Sequence, residues 1–316
     1  MASATHETGL KGIAERYPAL GRLIDAVLAV WPEHVGFLSK SMEVRTDALL
    51  ETSDRMAAAV LELAASDVAQ HARDYRWLCD QIREEELNFV RTGHYRYSRF
   101  AETNANVYSD GDFMRRYMHG LLYSHVLWFM HISSLYFFSQ RLAARVKPGG
   151  RVLEVGSGHG LLLFLALRDL GMAEAVAWDL SQVSLDQTRD ALARLGALDR
   201  AKFAVQDMHK AEPGQDSFDL IILSHLLEHL EEPVDALKRL KPLLAKGGLL
   251  YVNVPLNAPM PDHLVLLEAP RDAEEMLSAG GFRVLEIGSH TTQAVTLSKA
   301  LKQKTAVTCS IIAEPA

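Results

Sequence analysis

"LEVGSGHG", Leu153 to Gly160, sets three glycines at alternate positions behind a short apolar run. The stretch reads as a strand entering a tight turn whose bare backbone lets a ligand approach closely. A dinucleotide-binding turn wants glycines at its first, third and sixth positions. Here Gly156, Gly158 and Gly160 stand first, third and fifth, the sixth is Leu161, and Glu154 lies two positions before the first glycine. A carboxylate beside a pyrophosphate is repelled, whereas beside a cationic ligand it is favoured.

Outward from this turn the texture differs on its two sides. Behind "KPGG" (Lys147 to Gly150), short apolar runs alternate with helical patterns: "RVLEV", Leu161 to Leu170, "AVAWD", Leu185 to Leu195, "KFAVQD", "FDLIILS", Val234 to Leu244, "LLYVNV", Ala273 to Ala279, "FRVLEI", and finally "TAVTCSIIAE". Such alternation specifies a parallel sheet covered on both faces, with ligands beyond the carboxyl ends of its strands. Ahead of Lys147 no strand signature occurs. Leu20, Leu23, Ile24, Val27 and Leu28 follow helical spacing, as do Met56, Val60, Leu63 and Ala64, and the breakers are Pro18, Pro32 and Gly93. This predicts an all-helical domain of four or five helices over residues 1–146, followed by an α/β domain over 147–316.

Tyr117 to Gln140 holds no Asp, Glu, Lys or Arg over 24 residues. Its scattered histidines and serines would be penalised in lipid. It reads as one long helix buried between protein layers, with Tyr117, Leu121, Ser124, Trp128, His131, Leu135, Phe138 and Leu142 along one stripe.

The composition narrows the class. Of 316 residues, 48% are hydrophobic and 23% charged, as in a soluble globular protein, and the net charge of −7 argues against nucleic acid or an anionic membrane as a partner. "HYRYSRF" (His94 to Phe100) interleaves arginine with aromatics, but one short stretch in an acidic chain makes no nucleic-acid footprint. Two distant cysteines, Cys79 and Cys309, give no disulfide framework, and the first residues show no signal peptide, so a reducing cytoplasm is expected.

The strand ends carry the remaining signal. "AWDLS" places Asp179 19 residues beyond Gly160, "VQDM" brings Asp207 and Met208, "DLIILSHLLEHL" brings Ser224, and "LLAKGGLLYVNVP" closes the series. With "LEVGSGHG", these five stretches in this order resemble the class I S-adenosylmethionine (SAM)-dependent methyltransferases from Lys147 to the C-terminus. The resemblance implies a Rossmann-like seven-stranded sheet with a reversed last hairpin, and SAM as co-substrate. Glu154, Gly156, Ser157, Gly158 and Gly160 would then face the methionine part, Asp179 with Leu180 the ribose, Asp207 and Met208 the adenine, and Ser224 the sulfonium. His159 is expected to face solvent.

"HLLEH" (His225 to His229) matches a zinc-peptidase pattern but follows a strand where methyltransferases carry a similar packing element; it is read as scaffold, and no metal is expected. The proline-stiffened "NVPLNAPMPDHL" carries Asn253, Asn257, Asp262 and His263 toward the site as acceptor-shaping residues, with Asp262 orienting His263 as a base or the pair capping the next helix. His225 and His131 are further base candidates, and Tyr123 a further catalytic one. The helical face of the first domain and the aromatic loop from His94 to Asp112 read as a lid: Tyr95 and Arg96 or Arg99 toward SAM, and Tyr108, Tyr117 and Trp128 toward the acceptor. A small-molecule methyltransferase follows, plausible in bacterial secondary metabolism, with a homodimer left open. Two alternatives stand beside it: attack at SAM Cγ, releasing methylthioadenosine, and a non-catalytic SAM-binding protein.

Overall fold

In the computed structural model, residues 2–65, 67–211, 217–293 and 295–316 are described. The N-terminal part comprises α1 (Ala2–Arg16), α2 (Pro18–Val30), α3 (Val35–Glu43), α4 (Asp47–Leu63), α5 (Val68–Thr92), α6 (Phe100–Thr103), α7 (Gly111–Leu127) and α8 (Phe129–Phe137). Eight α-helices among the described residues replace the four or five expected. Their ends follow local chemistry. Pro18 opens α2 where no amide donor is lost. Thr46, Asp67 and Asp110 cap α4, α5 and α7 with side-chain oxygens, and Gly93 closes α5 at φ +79°.

The uncharged run is not one helix. It breaks at Trp128, whose backbone is extended, and α7 and α8 meet at a 76° bend. The cause lies elsewhere in the chain. The Leu127 carbonyl accepts from Ser41 Oγ at 2.7 Å and Arg45 Nη2 at 3.0 Å, while Trp128 Nε1 donates to Tyr75 Oη at 2.8 Å. Among the described residues no single helix is long and apolar enough to cross a membrane.

The second half runs β1 (Arg151–Val155), α9 (Leu161–Arg168), β2 (Glu174–Asp179), α10 (Gln182–Arg194), β3 (Ala201–Val205), β4 (Phe218–Ser224), α11 (Pro233–Leu240), β5 (Leu244–Leu256), α12 (Pro270–Ala279), β6 (Phe282–Thr291), α13 (Leu297–Gln303) and β7 (Val307–Pro315). The seven strands form one sheet in the order β3-β2-β1-β4-β5-β7-β6, in which β7 runs antiparallel to both its neighbours. The reversed last hairpin is therefore present, and α13 is an element the sequence did not announce.

Burial explains why the central strands read as unbroken apolar runs. Along β4, Leu220 and Ile222 join the core on one face, and Ile221 and Leu223 the core on the other. The first core is continuous with that of α2, α4, α7 and α8. The all-apolar α9 lies within it, with Leu161 to Leu167 buried on every side. The helical part is thus packed onto the sheet. Ser310 Oγ on β7 donates to Ser134 Oγ on α8 at 2.8 Å, and Arg145 pairs with Glu286 on β6 at 2.7 Å.

Candidate active site

The carboxyl ends of the strands, α5, α7 and the segment between these helices enclose a cavity of about 1040 Å³. Its floor is the glycine turn. Gly156, Gly158 and Gly160 have φ of +73°, +49° and +70°, so the alternation in the sequence answers a backbone need. The turn is tied to α10: Ser157 Oγ lies 2.9 Å from Thr188 Oγ1, which donates to the Gly158 carbonyl at 2.9 Å.

Glu154 is buried, and its Oε2 has no hydrogen-bond partner among the described residues. Burial pushes its carboxyl well above the usual range. An ammonium group brought to this oxygen would supply the donor it lacks. Asp179, also on the cavity, accepts from the Ser181 amide at 2.8 Å and from Ser184 Oγ at 2.6 Å, which fixes its carboxylate at the end of β2.

Beside this floor, past the end of β4, the wall is polar and rich in histidine. His225, at φ +49°, follows Ser224, and its amide donates to the Asn253 carbonyl at 2.8 Å. A left-handed non-glycine residue is strained and held by its surroundings. Three residues on, the Glu228 carbonyl accepts from the Leu264 and Val265 amides at 2.8 and 3.0 Å, which docks the loop after β5 beside this turn. Docking brings Asp262 to His229. His229 Nδ1 donates to the Asp262 carbonyl at 3.0 Å and lies 3.5 Å from Asp262 Oδ2, while Tyr117 and Tyr108 donate to the same carboxylate at 2.9 and 3.2 Å.

These contacts separate the imidazoles electrostatically. Burial alone would lower His229, but Asp262, Glu228 and the carbonyls of Asp262 and His225 outweigh it and raise its pKa. His263 donates through Nδ1 to the Ala258 carbonyl at 2.8 Å, and burial takes it down to about 4. Burial would raise Glu228, yet the hydrogen bond from His225 and the charges of His225, His229 and His263 hold it down at about 2. His125, His131 and His159 also line the cavity, all pushed down by burial.

The profile of a family described as "Methyltransferase domain" matches residues 137–304, just over half of the chain. The chain belongs to this methyltransferase family. The fold agrees: the mitomycin 7-O-methyltransferase MmcR aligns at 15% identity and a TM-score of 0.51 over 80% of this chain and 72% of its own. The ubiquinone biosynthesis O-methyltransferase of Xanthomonas campestris pv. campestris (strain B100) is 36% identical over 114 residues, 35% of this chain and 46% of its own length. The trans-aconitate 2-methyltransferase of Variovorax paradoxus is 30% identical over 153 residues, 46% of this chain and 56% of its own. The chain thus spans about half the length of these curated relatives. Family membership makes the domain a SAM-dependent transferase, and SAM its co-substrate.

Several nominated residues of this methyltransferase converge on the cavity: Glu154, Gly156, Ser157, Gly158, Asp179, Leu180, Met208, Ser224, His225, Tyr108, Tyr117, Trp128, His131, Asp262 and His263 all line it. Gly160 stands just behind, with Thr188 Cγ2 3.2 Å from where its Cβ would be.

Others are placed elsewhere. Arg99 is exposed at the start of α6, outside the cavity lining, and Arg96 pairs with Glu85 at 2.7 Å; the cavity arginines are Arg83 and Arg115. Tyr123, on α7, is buried outside the cavity lining and donates to the Val68 carbonyl at 2.9 Å, and Tyr95 packs between Phe89 and His263. Asp207 turns onto its own backbone, accepting from the His209 amide at 3.0 Å, so Gln206 and Met208 face the cavity instead. Asn253 and Asn257 are buried outside the lining, and Asn257 Nδ2 donates to the Glu268 carbonyl at 2.9 Å. His159 does not face solvent: it lines the cavity, its ring edge-on to His125 at 4.7 Å.

The expected Asp262–His263 pair is an Asp262–His229 pair: Pro261 and Asp262 form a turn in which the His263 amide donates to the Met260 carbonyl at 3.4 Å, and the His263 ring bonds the Ala258 carbonyl instead. Nor does that pair cap α12, whose capping box uses Asp272. His229, His125 and Met118 are cavity residues that the sequence reading missed. Only His229 had a local signal, as the last residue of "HLLEH".

Proposed function

We propose that this methyltransferase transfers the methyl group of SAM to a small, largely apolar acceptor through an ionisable oxygen or nitrogen, with His229 as the base. The observation that carries the reading is the Asp262–His229 pair in the wall of the cavity that begins at the glycine turn. A pKa raised above 6.5 by Asp262 and Glu228 suits proton removal near neutral pH. The acceptor atom attacks the methyl carbon, the carbon–sulfur bond breaks in line with it, and the proton passes to His229; S-adenosylhomocysteine leaves. A pocket for one drug-sized ligand takes about 300–1,000 Å³. The volume here, about 1040 Å³, lies at the top of that range and leaves room for a small acceptor beside SAM. Residues 1–146 act as lid and acceptor wall, supplying Trp128, Met114, Met118 and Tyr117. Cys79 and Cys309 are free thiols, as a reducing cytoplasm allows, and secondary metabolism is the setting in which we place the acceptor.

The test is a mass-spectrometric count of leaving groups. Protein is incubated with SAM alone, then with panels of phenols, carboxylic acids and amines. S-adenosylhomocysteine is expected only when an acceptor is added. Enzyme-dependent methylthioadenosine from SAM alone would overturn the reading in favour of attack at Cγ. Tight SAM binding without either product across the panels would favour a non-catalytic SAM-binding protein.

A further inference from the structure

Glu228, His229 and His263 offer one ligand atom each, and all three atoms lie within 4.8 Å of one another. We propose that they bind a divalent transition-metal ion of the zinc class, and that the ion shuts the acceptor end of the cavity.

The ring nitrogens decide it. Nδ1 of His229 donates to the Asp262 carbonyl and Nδ1 of His263 to the Ala258 carbonyl. A carbonyl only accepts, so in each neutral ring the lone pair is on Nε2. Both Nε2 atoms lie 3.9 Å from Glu228 Oε1, beyond hydrogen-bond reach. The Glu228 side chain is fully buried, Oε1 accepts from His225 Nδ1 at 3.0 Å, and Oε2 has no partner among the described residues. Three lone-pair groups therefore converge with no donor between them. A tetrahedral zinc ion with bonds of about 2.0–2.1 Å holds its ligand atoms roughly 3.4 Å apart, so the two 3.9 Å separations from Oε1 need a contraction of about half an ångström. The carbonyls behind both rings already supply the outer-shell bonds that fix metal-binding imidazoles. Two imidazoles and a carboxylate select zinc, cobalt, nickel or copper over magnesium or calcium.

This is not the arrangement that "HLLEH" suggests by itself. His225 serves as a hydrogen-bond donor to Glu228, and the third ligand comes from the loop after β5. Since His229 and His263 face the cavity, the ion's remaining position points to where the acceptor's ionisable group would sit. Ion and acceptor then need the same lone pairs, so occupancy inhibits. That clause rests on the proposed function, whereas metal binding itself does not.

Chelator-treated, full-length protein is titrated with Co²⁺, followed by its visible d–d absorption, and with Zn²⁺ by calorimetry. One ion per chain is expected, with Zn²⁺ displacing Co²⁺. His263→Gln and Glu228→Gln should each weaken binding about tenfold or more. SAM affinity, measured on the same variants, should stay within about twofold and so certifies their folding. Once an acceptor is found, Zn²⁺ should inhibit in competition with it, reversed by chelator. Absence of saturable binding, binding that ignores both substitutions, or stimulation of turnover by Zn²⁺ would each overturn the proposal. Failure to bind SAM would instead count against the methyltransferase reading and leave the metal titration interpretable.

Discussion

Gly158 combines a φ of +49° with Met118 Cε 2.9 Å from where a Cβ would stand. A side chain there costs about 1–2 kcal/mol for the left-handed backbone and also crowds α7. Gly158→Val is therefore expected to weaken SAM binding by about tenfold or more in calorimetry; an unchanged affinity would remove the glycine turn from the site. In the same cavity, His229 acts as base only when neutral. Its pKa is raised, so kcat/KM should climb as pH rises through a value above 6.5 and then level. Asp262→Asn removes the leading charge that holds it up. The acid limb should move to lower pH while the plateau falls by about a hundredfold. A limb that stays in place would show that Asp262 does not act through His229. The glycines and Glu154 were legible because their chemistry is local to eight residues. The Asp262–His229 pair was not, since Leu264 and Val265 set it by docking on a carbonyl in another loop.

The bend between α7 and α8 belongs to the scale of elements. Helical spacing runs unbroken through Trp128, so periodicity gave no sign of a break; the cause, Arg45, lies 82 residues from Leu127. Its guanidinium is buried, lowered by that burial to about 9, and donates to Ser41, Ser53 and Leu127 oxygens. It remains protonated at neutral pH, where it meets the negative end of the α7 dipole. Arg45→Met leaves the Leu127 carbonyl with one donor and is expected to cost about 2–4 kcal/mol by chemical denaturation. A loss under 1 kcal/mol would mean the bend is held by packing alone. In contrast, β1, β2 and β4 match their predicted runs within a residue, because a strand buried on both faces has one reading. Helices of the N-terminal part share a single core and offer no such punctuation beyond proline, glycine and caps.

Across the whole molecule, buried imidazoles set the response to acid. Burial takes His34, His125, His263 and His290 to about 4, and His131 and His159 well below the usual range. Between pH 6.5 and 4 the unfolded chain takes up protons that the native state refuses, so stability must fall as pH falls. Each proton fully withheld accounts for about 1.4 kcal/mol per pH unit. The melting temperature is expected to drop steeply from pH 7 to pH 5, and a flat profile there would contradict the buried, neutral assignment of these rings. Glu154 works in the other direction: its raised pKa means that the native state holds a proton there above pH 4.5, where the unfolded chain has let it go. An arriving ammonium group would evict that proton into solution. The heat of SAM binding would then include the buffer's own heat of ionisation, so titrations in phosphate and in Tris should disagree by an amount that counts protons released per SAM bound.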